Sequence, residues 1–319
     1  MEEYHFAFGI DANYVKYAGV VMTSIVWNHP GQSICFHLAC DGLHKEDKSR
    51  LETFSKLYSH TRIELYDVRE QLQSIKLFAG TVPERLNRTV FLRILLPELL
   101  PETARRLVYL DADMLCVGDL APLWNANLEE RAVGALLNPG NLRLSRGLGL
   151  SHTRYLSAGT LVIDVAKWRE QKLTQRVLKA YRKHGARFSL LEEDALNLVL
   201  DGDFTELPAE WIAFSEAFNP LLLRRQPGNL LLHFVNDGKP WIRYCAPEME
   251  ELYWGYVRRS LWADMQPLEP WEVKIAFLAG LNAKENRRFE DAAHYLSLAG
   301  ERLMQYYLEH TGQIISGKD

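Results

Sequence analysis

The stretch RRLVYLDADMLCVGDL, residues 105–120, runs from an apolar segment into two carboxylates one residue apart, Asp111 and Asp113. On an extended strand side chains alternate with a period of two, so these two point to one side while Ala112 faces the other. Two anions held together repel, and a site that keeps both needs a cation or a proton between them. A divalent metal meets that need. All-oxygen donors suit Mg2+ or Mn2+, which keep positions open for substrate phosphates. The bland alternative is a solvated turn whose carboxylates cap the following segment.

The surrounding pattern explains how such a pair would be positioned. Through the first two thirds of the chain, strand-like apolar runs alternate with amphipathic helix-like runs, which predicts an α/β sheet with helices on its faces. Residues 4–10 read as a buried strand, 11–13 as a turn and 14–27 as a helix that stops before Pro30-Gly31. Strands at 34–40 and 61–68 flank a helix at 45–58, an order that gives parallel strands with right-handed crossovers. Residues 87–96 read as a helix ending at Pro97, and the strand from Leu107 then delivers the aspartates at its carboxyl end. Asp11 sits at another strand's carboxyl end, the edge where open α/β sheets bind ligands. Further strands are expected at 133–137, 160–165 and 230–235, with a helix at 167–184. Between the first two of these, GNLRLSRGLGLSHTRY (140–155) has no helix or strand period and reads as a mobile loop. Beyond residue 246 the pattern is helical, with helices at 249–261 and 289–308, so we place a boundary between a domain at 1–245 and an extension at 246–319.

Composition narrows the function classes. The 319 residues carry a formal charge of -4, which gives no global electrostatic case for nucleic acid. No apolar run approaches a membrane span, and the acidic start Met1-Glu2-Glu3 lacks a signal-peptide pattern, so a cytoplasmic protein is expected. The four cysteines, Cys35, Cys40, Cys116 and Cys245, show no C-x-x-C or zinc-finger spacing and read as buried free thiols.

Taken together, FGIDANYVKYAGVVMTSI (8–25), LVYLDADML (107–115), LSAGTLVIDVAKW (156–168) and HFVNDGKPW (233–241) resemble the retaining nucleotide-sugar glycosyltransferases of family 8. The likeness is greatest to bacterial lipopolysaccharide core α-glucosyl- and α-galactosyltransferases. It implies a GT-A-type, Rossmann-like mixed sheet flanked by helices, here with a C-terminal helical extension. By the same resemblance Asp11 and Asn13 contact the uridine of a UDP-sugar, with Tyr14 stacking nearby. Asp111, Asp113 and His233 hold Mn2+ or Mg2+, Asp113 as the firmer ligand and Asp111 also touching the donor. Lys239 meets the diphosphate, Arg93 faces the donor sugar, and Ala158-Gly159 approach it through backbone. The imidazole of His233 beside two carboxylates tilts the choice toward Mn2+.

Three departures from the family pattern matter. Relatives usually read D-Q-D where this chain has Glu192-Glu193-Asp194. Glu193, facing the anomeric carbon, is either a nucleophile for double displacement or a spectator of front-face substitution. The bland reading is three acidic residues favouring a helix N-terminus. Ser157 replaces a common asparagine, and Asn236 stands where relatives often carry glycine. The implied acceptor is a lipopolysaccharide core oligosaccharide on lipid A, whose phosphates Arg143, Arg146, His152 and Arg154 could meet. From Trp271 to Asp319 six Lys and Arg face seven Asp and Glu, so polybasic membrane attraction is missing, although peripheral contact with the inner face of the cytoplasmic membrane stays open. Ala292, Tyr295, Leu296, Ala299, Leu303 and Tyr307 repeat at helical spacing and would pack on the body or on a second subunit as a homo-oligomer. Two rival readings remain: a phosphatase of the haloacid dehalogenase class with Asp111 as nucleophile, and a catalytically silent sugar-nucleotide or glycan binder.

Overall fold

The computed structural model describes residues 2–78, 88–215, 217, 228–236 and 238–315, with side chains as far as Glu309. Residue contacts divide the chain into two compact units, 1–213 with 227–231, and 214–226 with 232–319.

The first unit opens with β1 (Tyr4–Asp11), α1 (Val15–Asn28), β2 (Ile34–Asp41), α2 (Lys45–Leu57), β3 (Thr61–Asp67) and the short α3 (Arg69–Gln73). It continues through α4 (Leu92–Leu99), β4 (Arg106–Leu110), β5 (Met114–Cys116), α5 (Ala121–Trp124), β6 (Val133–Leu137) and α6 (Asn141–Leu148). Then come β7 (Leu156–Asp164), α7 (Val165–Glu170), α8 (Leu173–His184), α9 (Leu191–Leu200) and β8 (Thr205–Glu206). Seven strands form one mixed sheet in the order β3-β2-β1-β4-β7-β6-β8. As expected, β1, β2 and β3 are parallel, and β4 joins β1 in parallel. Its other neighbour, β7, is antiparallel, which makes the sheet mixed. Helices cover both faces, so the central strands are apolar almost throughout: Phe6, Phe8, Phe36, Leu38, Val108 and Leu110 are fully buried.

Chain order reverses between β1 and β4. From β1 the chain winds outward to β2 and β3, and it returns to lay β4 on the other side of β1. A crevice at the carboxyl ends of these strands follows from that reversal. The register pairs Phe6 with Val108 and Ala7 with Tyr109; carried forward, it sets Asp11 at the level of Asp113. Close packing below the crevice depends on Gly9, where a Cβ would lie 2.6 Å from Leu92 Cβ on α4. Both atoms belong to regular elements that cannot give way cheaply. Gly9→Ala is therefore expected to destabilise the fold by about 1–3 kcal/mol in urea titration; a change within experimental error would contradict this packing.

Several expectations need correction. The aspartates lie in the bend between β4 and β5, not on the strand itself. Helix α4 runs through Pro97 to Leu99, because side chains serve its terminal carbonyls: Thr174 Oγ1 donates to Ile94 O at 2.7 Å and Arg169 Nε to Pro97 O at 2.9 Å. The expected start of that helix at Asn87 lies outside the described residues. The stretch read as a loop contains α6. Its buried side, Ser145 and Leu148, packs inward, and Gly149 at φ +69° closes it as Leu150 N–H reaches back to Ser145 O. The single helix expected at 167–184 is two, α7 and α8, broken where Lys172 adopts φ +53°.

The division between units falls within β9 (Ile212–Ser215) and β10 (Leu231–Phe234). The latter, read as a final strand of the main sheet, is not among its seven strands. The second unit goes on to α10 (Pro247–Arg259), α11 (Val273–Glu285) and α12 (Phe289–Ile315). Helix α11 was not anticipated; its burial of small residues, Ala276, Ala279 and Ala283, gives a weak periodic signal. Those residues let α12 approach closely, and a Cβ on Gly280 would meet Leu296 Cγ at 2.8 Å. Ala292, Tyr295 and Ala299 are buried as expected, whereas Leu303 and Tyr307 are exposed.

Candidate active site

At the switch point a cavity of about 160 Å³ is lined by Gly9, Asp11, Tyr14, Arg93, Asp111 and Asp113, among others. Each reaches it from a terminus of a regular element. Asp11 ends β1 and turns the chain into α1, its Oδ1 accepting from the N–H groups of Asn13 and Tyr14, both at 2.9 Å. That bond fixes the turn and holds Tyr14, 41% exposed, against the cavity. Asn13 is exposed and does not line it.

Asp111 is clamped from two sides. Tyr109 Oη donates to its Oδ1 at 3.0 Å, and Arg93 Nη2 lies 3.0 Å from the same oxygen. Backbone pairing with β7 steadies it as well, Asp111 N–H donating to Gly159 O at 2.9 Å. Arg93 is buried, reaches Glu192 Oε1 at 3.3 Å, and lies over the Tyr109 ring at 5.1 Å. Burial alone would favour a neutral guanidine, but Asp111 and then Glu192 hold the guanidinium pKa above its ordinary value. The carboxylates of Asp111 and Asp113 face one cavity and supply hard oxygen donors, a set that fits Mg2+ or Mn2+.

The acidic run opens α9, and its members differ in surroundings. Asp194 is buried and fully engaged: Tyr155 Oη donates to it at 2.6 Å, and the N–H groups of Ser189 and Leu190 at 2.7 and 2.8 Å. Those bonds fit a positioning residue that secures the start of the helix. Glu193 accepts from Ala158 N–H at 2.8 Å and from Asn138 Nδ2 at 3.2 Å. Burial, opposed by the Ala158 bond, pushes its carboxyl up to about 8. Glu192 is likewise raised by burial, against Arg93, to about 7. The folded protein therefore keeps a proton on Glu193 that the unfolded chain releases above its ordinary value of 4.5. Stability is lost as pH rises from there through about 8. Glu193→Gln, which cannot lose a proton, should gain stability relative to the wild type across that window. Thermal melts at pH 5 and pH 9 check this, and a difference independent of pH would refute it.

Asn138, Tyr109 and Tyr155 escaped sequence reasoning, since a hydrogen-bonding residue at the end of an apolar run carries no pattern of its own. Thr89 and Val90 also line the cavity. In the stretch 140–155, Arg143 and Arg146 are exposed on α6. Arg154 is committed elsewhere, donating to Gly202 O and Phe204 O at 3.0 and 2.9 Å and stacking on Phe204 at 4.5 Å.

The remaining expected residues belong to the second unit. His233 is buried in β10 with its ring 5.6 Å from Phe214, and Lys239 Nζ donates to Phe234 O at 2.6 Å. Asn236 has φ +59°, the left-handed region where glycine is most at ease and asparagine is tolerated.

The comparisons agree with the architecture. The chain is 24% identical to the lipopolysaccharide 1,3-galactosyltransferase of Salmonella typhimurium, over 84% of this chain and 82% of that protein. It is 25% identical to the lipopolysaccharide 1,2-glucosyltransferase of Escherichia coli, over 82% and 79%. Among solved structures, the galactosyltransferase LgtC in complex with donor and acceptor sugar analogs superposes with a TM-score of 0.69 at 21% identity, covering 81% of this chain and 96% of that one. The mixed sheet is thus the GT-A fold, and the phosphatase reading of Asp111 is set aside. Residues 5–245 match glycosyl transferase family 8 as a whole, and the chain is a member of that family, a glycosyltransferase.

Proposed function

We propose that this enzyme is a retaining, metal-dependent hexosyltransferase that moves glucose or galactose from a UDP-sugar to a lipopolysaccharide core oligosaccharide, forming an α-glycosidic bond. The observation that carries the reading is the cavity at the switch point, where Asp11 and Tyr14 stand beside Asp111 and Asp113. Asp11 and Tyr14 take the uridine, with Asn13 at the rim. Asp113 and Asp111, with His233 as third ligand, would hold Mn2+ or Mg2+. Such an ion, when bound, neutralises charge growing on the leaving diphosphate. Lys239 adds a cation there, exchanging its bond to Phe234 O for a phosphate oxygen. Residues 1–245 form the catalytic domain and 246–319 the helical extension.

Arg93 orients Asp111 through their ion pair, and faces the donor sugar together with the backbone of Ala158 and Gly159. Because burial keeps Glu193 protonated at neutral pH, its carboxyl behaves like the amide of relatives and orients the sugar without attacking it. Glu192 balances Arg93, and Asp194 positions the helix. The C1–O bond to UDP then breaks with its electron pair leaving on the diphosphate. The acceptor oxygen bonds C1 from the same face, and its proton passes to a phosphate oxygen.

The two lipopolysaccharide transferases support the acceptor class. Among the described residues no helix is long and apolar enough to cross a membrane. A cytoplasmic enzyme working at the inner membrane face accords with such an acceptor. The test is transfer of radiolabelled glucose or galactose from UDP to core oligosaccharides truncated at successive sugars. Label incorporated at one truncation, in α linkage by NMR, is the expected outcome; label entering none of them would refute the acceptor.

A further inference from the structure

At the amino ends of β1 and β2, away from the donor cavity, nitrogen and sulfur donors converge on one face of the sheet. His5 stands beside Cys35 in the parallel register, and His37, two residues further along β2, shares that face. One donor atom from each lies within 4.8 Å of the other two. His5 Nδ1 and His37 Nε2 are 2.9 Å apart, with the rings stacked at 25°. Cys35 and His37 are fully buried, and the side chain of His5 is 12% exposed.

Outer partners orient both rings. The Tyr66 hydroxyl lies 2.9 Å from His37 Nδ1. Glu3 Oε2 lies 3.6 Å from His5 Nε2 and is itself gripped by Arg62, at 3.0 and 2.9 Å through Nε and Nη2. A neutral imidazole has one bare nitrogen, and His5 Nδ1 and His37 Nε2 are the two ring nitrogens that face each other.

We propose that His5, Cys35 and His37 form a second metal site, for a thiophilic transition ion of the Zn2+ class, distinct from the aspartate pair. Tetrahedral binding at metal–nitrogen distances of about 2.0–2.1 Å and metal–sulfur of about 2.3 Å sets donor atoms roughly 3.3–3.6 Å apart. The two imidazole nitrogens need to separate by only about 0.4 Å to reach that spacing. In the bound state His5 carries its proton on Nε2, toward Glu3, and His37 on Nδ1, toward the Tyr66 oxygen. A carboxylate or hydroxyl behind each ligating histidine is the usual outer support of such sites. The Cys35 S–H bond breaks as the sulfur–metal bond forms, and one proton leaves to solvent. A fourth position falls to solvent beside partly exposed His5. Six residues of strand, about 20 Å, separate His5 from Asp11. Soft nitrogen and sulfur donors here, and hard oxygens there, select different ions. An ion at this site ties β1 to β2, a structural role independent of sugar transfer.

Titration of the metal-stripped, reduced full-length protein with Co2+ tests the site, because only a thiolate ligand gives a strong near-ultraviolet charge-transfer band. We expect that band to saturate at one equivalent of thiolate-bound Co2+, to persist in Asp113→Ala, to vanish in Cys35→Ser, and to be displaced by Zn2+. His5→Gln, altered at the partly exposed edge, should weaken binding by at least about tenfold. This variant keeps the assignment testable if Cys35→Ser fails to fold. Absence of the band at excess Co2+, its survival in Cys35→Ser, or unchanged affinity in His5→Gln would each overturn the proposal.

Discussion

Asp113→Ala is expected to slow UDP-sugar turnover by roughly 100- to 1,000-fold while leaving the melting temperature within a few degrees of the wild type. The contrast follows from position. Asp113 sits in the bend beyond β4, beside the cavity and outside the hydrogen-bonded sheet. On the proposed function, truncation there removes a carboxylate that would hold an ion against the leaving diphosphate, a loss felt most as charge develops. Asp111→Ala should behave differently and lower stability as well as turnover, since Asp111 also anchors Tyr109 and Arg93. Steady-state rates and melts of both variants check the pair. Unimpaired turnover in Asp113→Ala would remove Asp113 from the metal set.

Arg93→Ala carries the largest expected cost to the fold. The guanidinium is the cation between two carboxylates, Asp111 and Glu192, of which Glu192 is buried. Removing one partner of a buried ion pair typically costs about 3–5 kcal/mol, because charge is left uncompensated. A drop in melting temperature on the order of 10 °C follows, with turnover reduced at least about 100-fold as Asp111 loses its orientation. The loss should depend on pH. Glu192, already pushed up to about 7 by burial against the pull of Arg93, takes up its proton more readily in the folded state without that cation, which relieves the uncompensated charge; the variant should therefore recover toward pH 5 and suffer most near pH 8. Arg93→Ala with Glu192→Gln should regain part of the stability and none of the activity. Equal destabilisation at both pH values would show that Arg93 acts through packing alone.

How much of this was legible in the sequence depends on the kind of signal. The alternation of apolar runs and amphipathic helices placed β1, β2, β3, β4 and β6 within a residue or two, because buried parallel strands leave continuous apolar segments. The D-x-D pair was readable by type and spacing, although its backbone is a bend. Boundaries set by side chains from distant parts of the chain were not readable. Pro97 stays helical because Arg169 and Thr174, some seventy to eighty residues away, serve the local carbonyls. Helix α6 was hidden because its arginines and the glycines within and beside it mask a short apolar side that only the core completes. The three acids of α9 look alike in sequence, yet they separate into an ion-pair partner, a protonated carboxyl and a helix anchor. The protons and bonds that distinguish them come from Arg93, Ala158 and Tyr155, on three other segments.

The most direct test of the central claim is release of UDP from a panel of UDP-sugars by the purified enzyme, in Mn2+ and in EDTA, without acceptor. Release from UDP-glucose or UDP-galactose that requires the metal is the expected result. Release that persists undiminished in EDTA would contradict the metal-dependent reading. No release from any donor, even with lipopolysaccharide core acceptors added, would contradict hexosyl transfer and leave a protein that binds nucleotide sugars without turning them over.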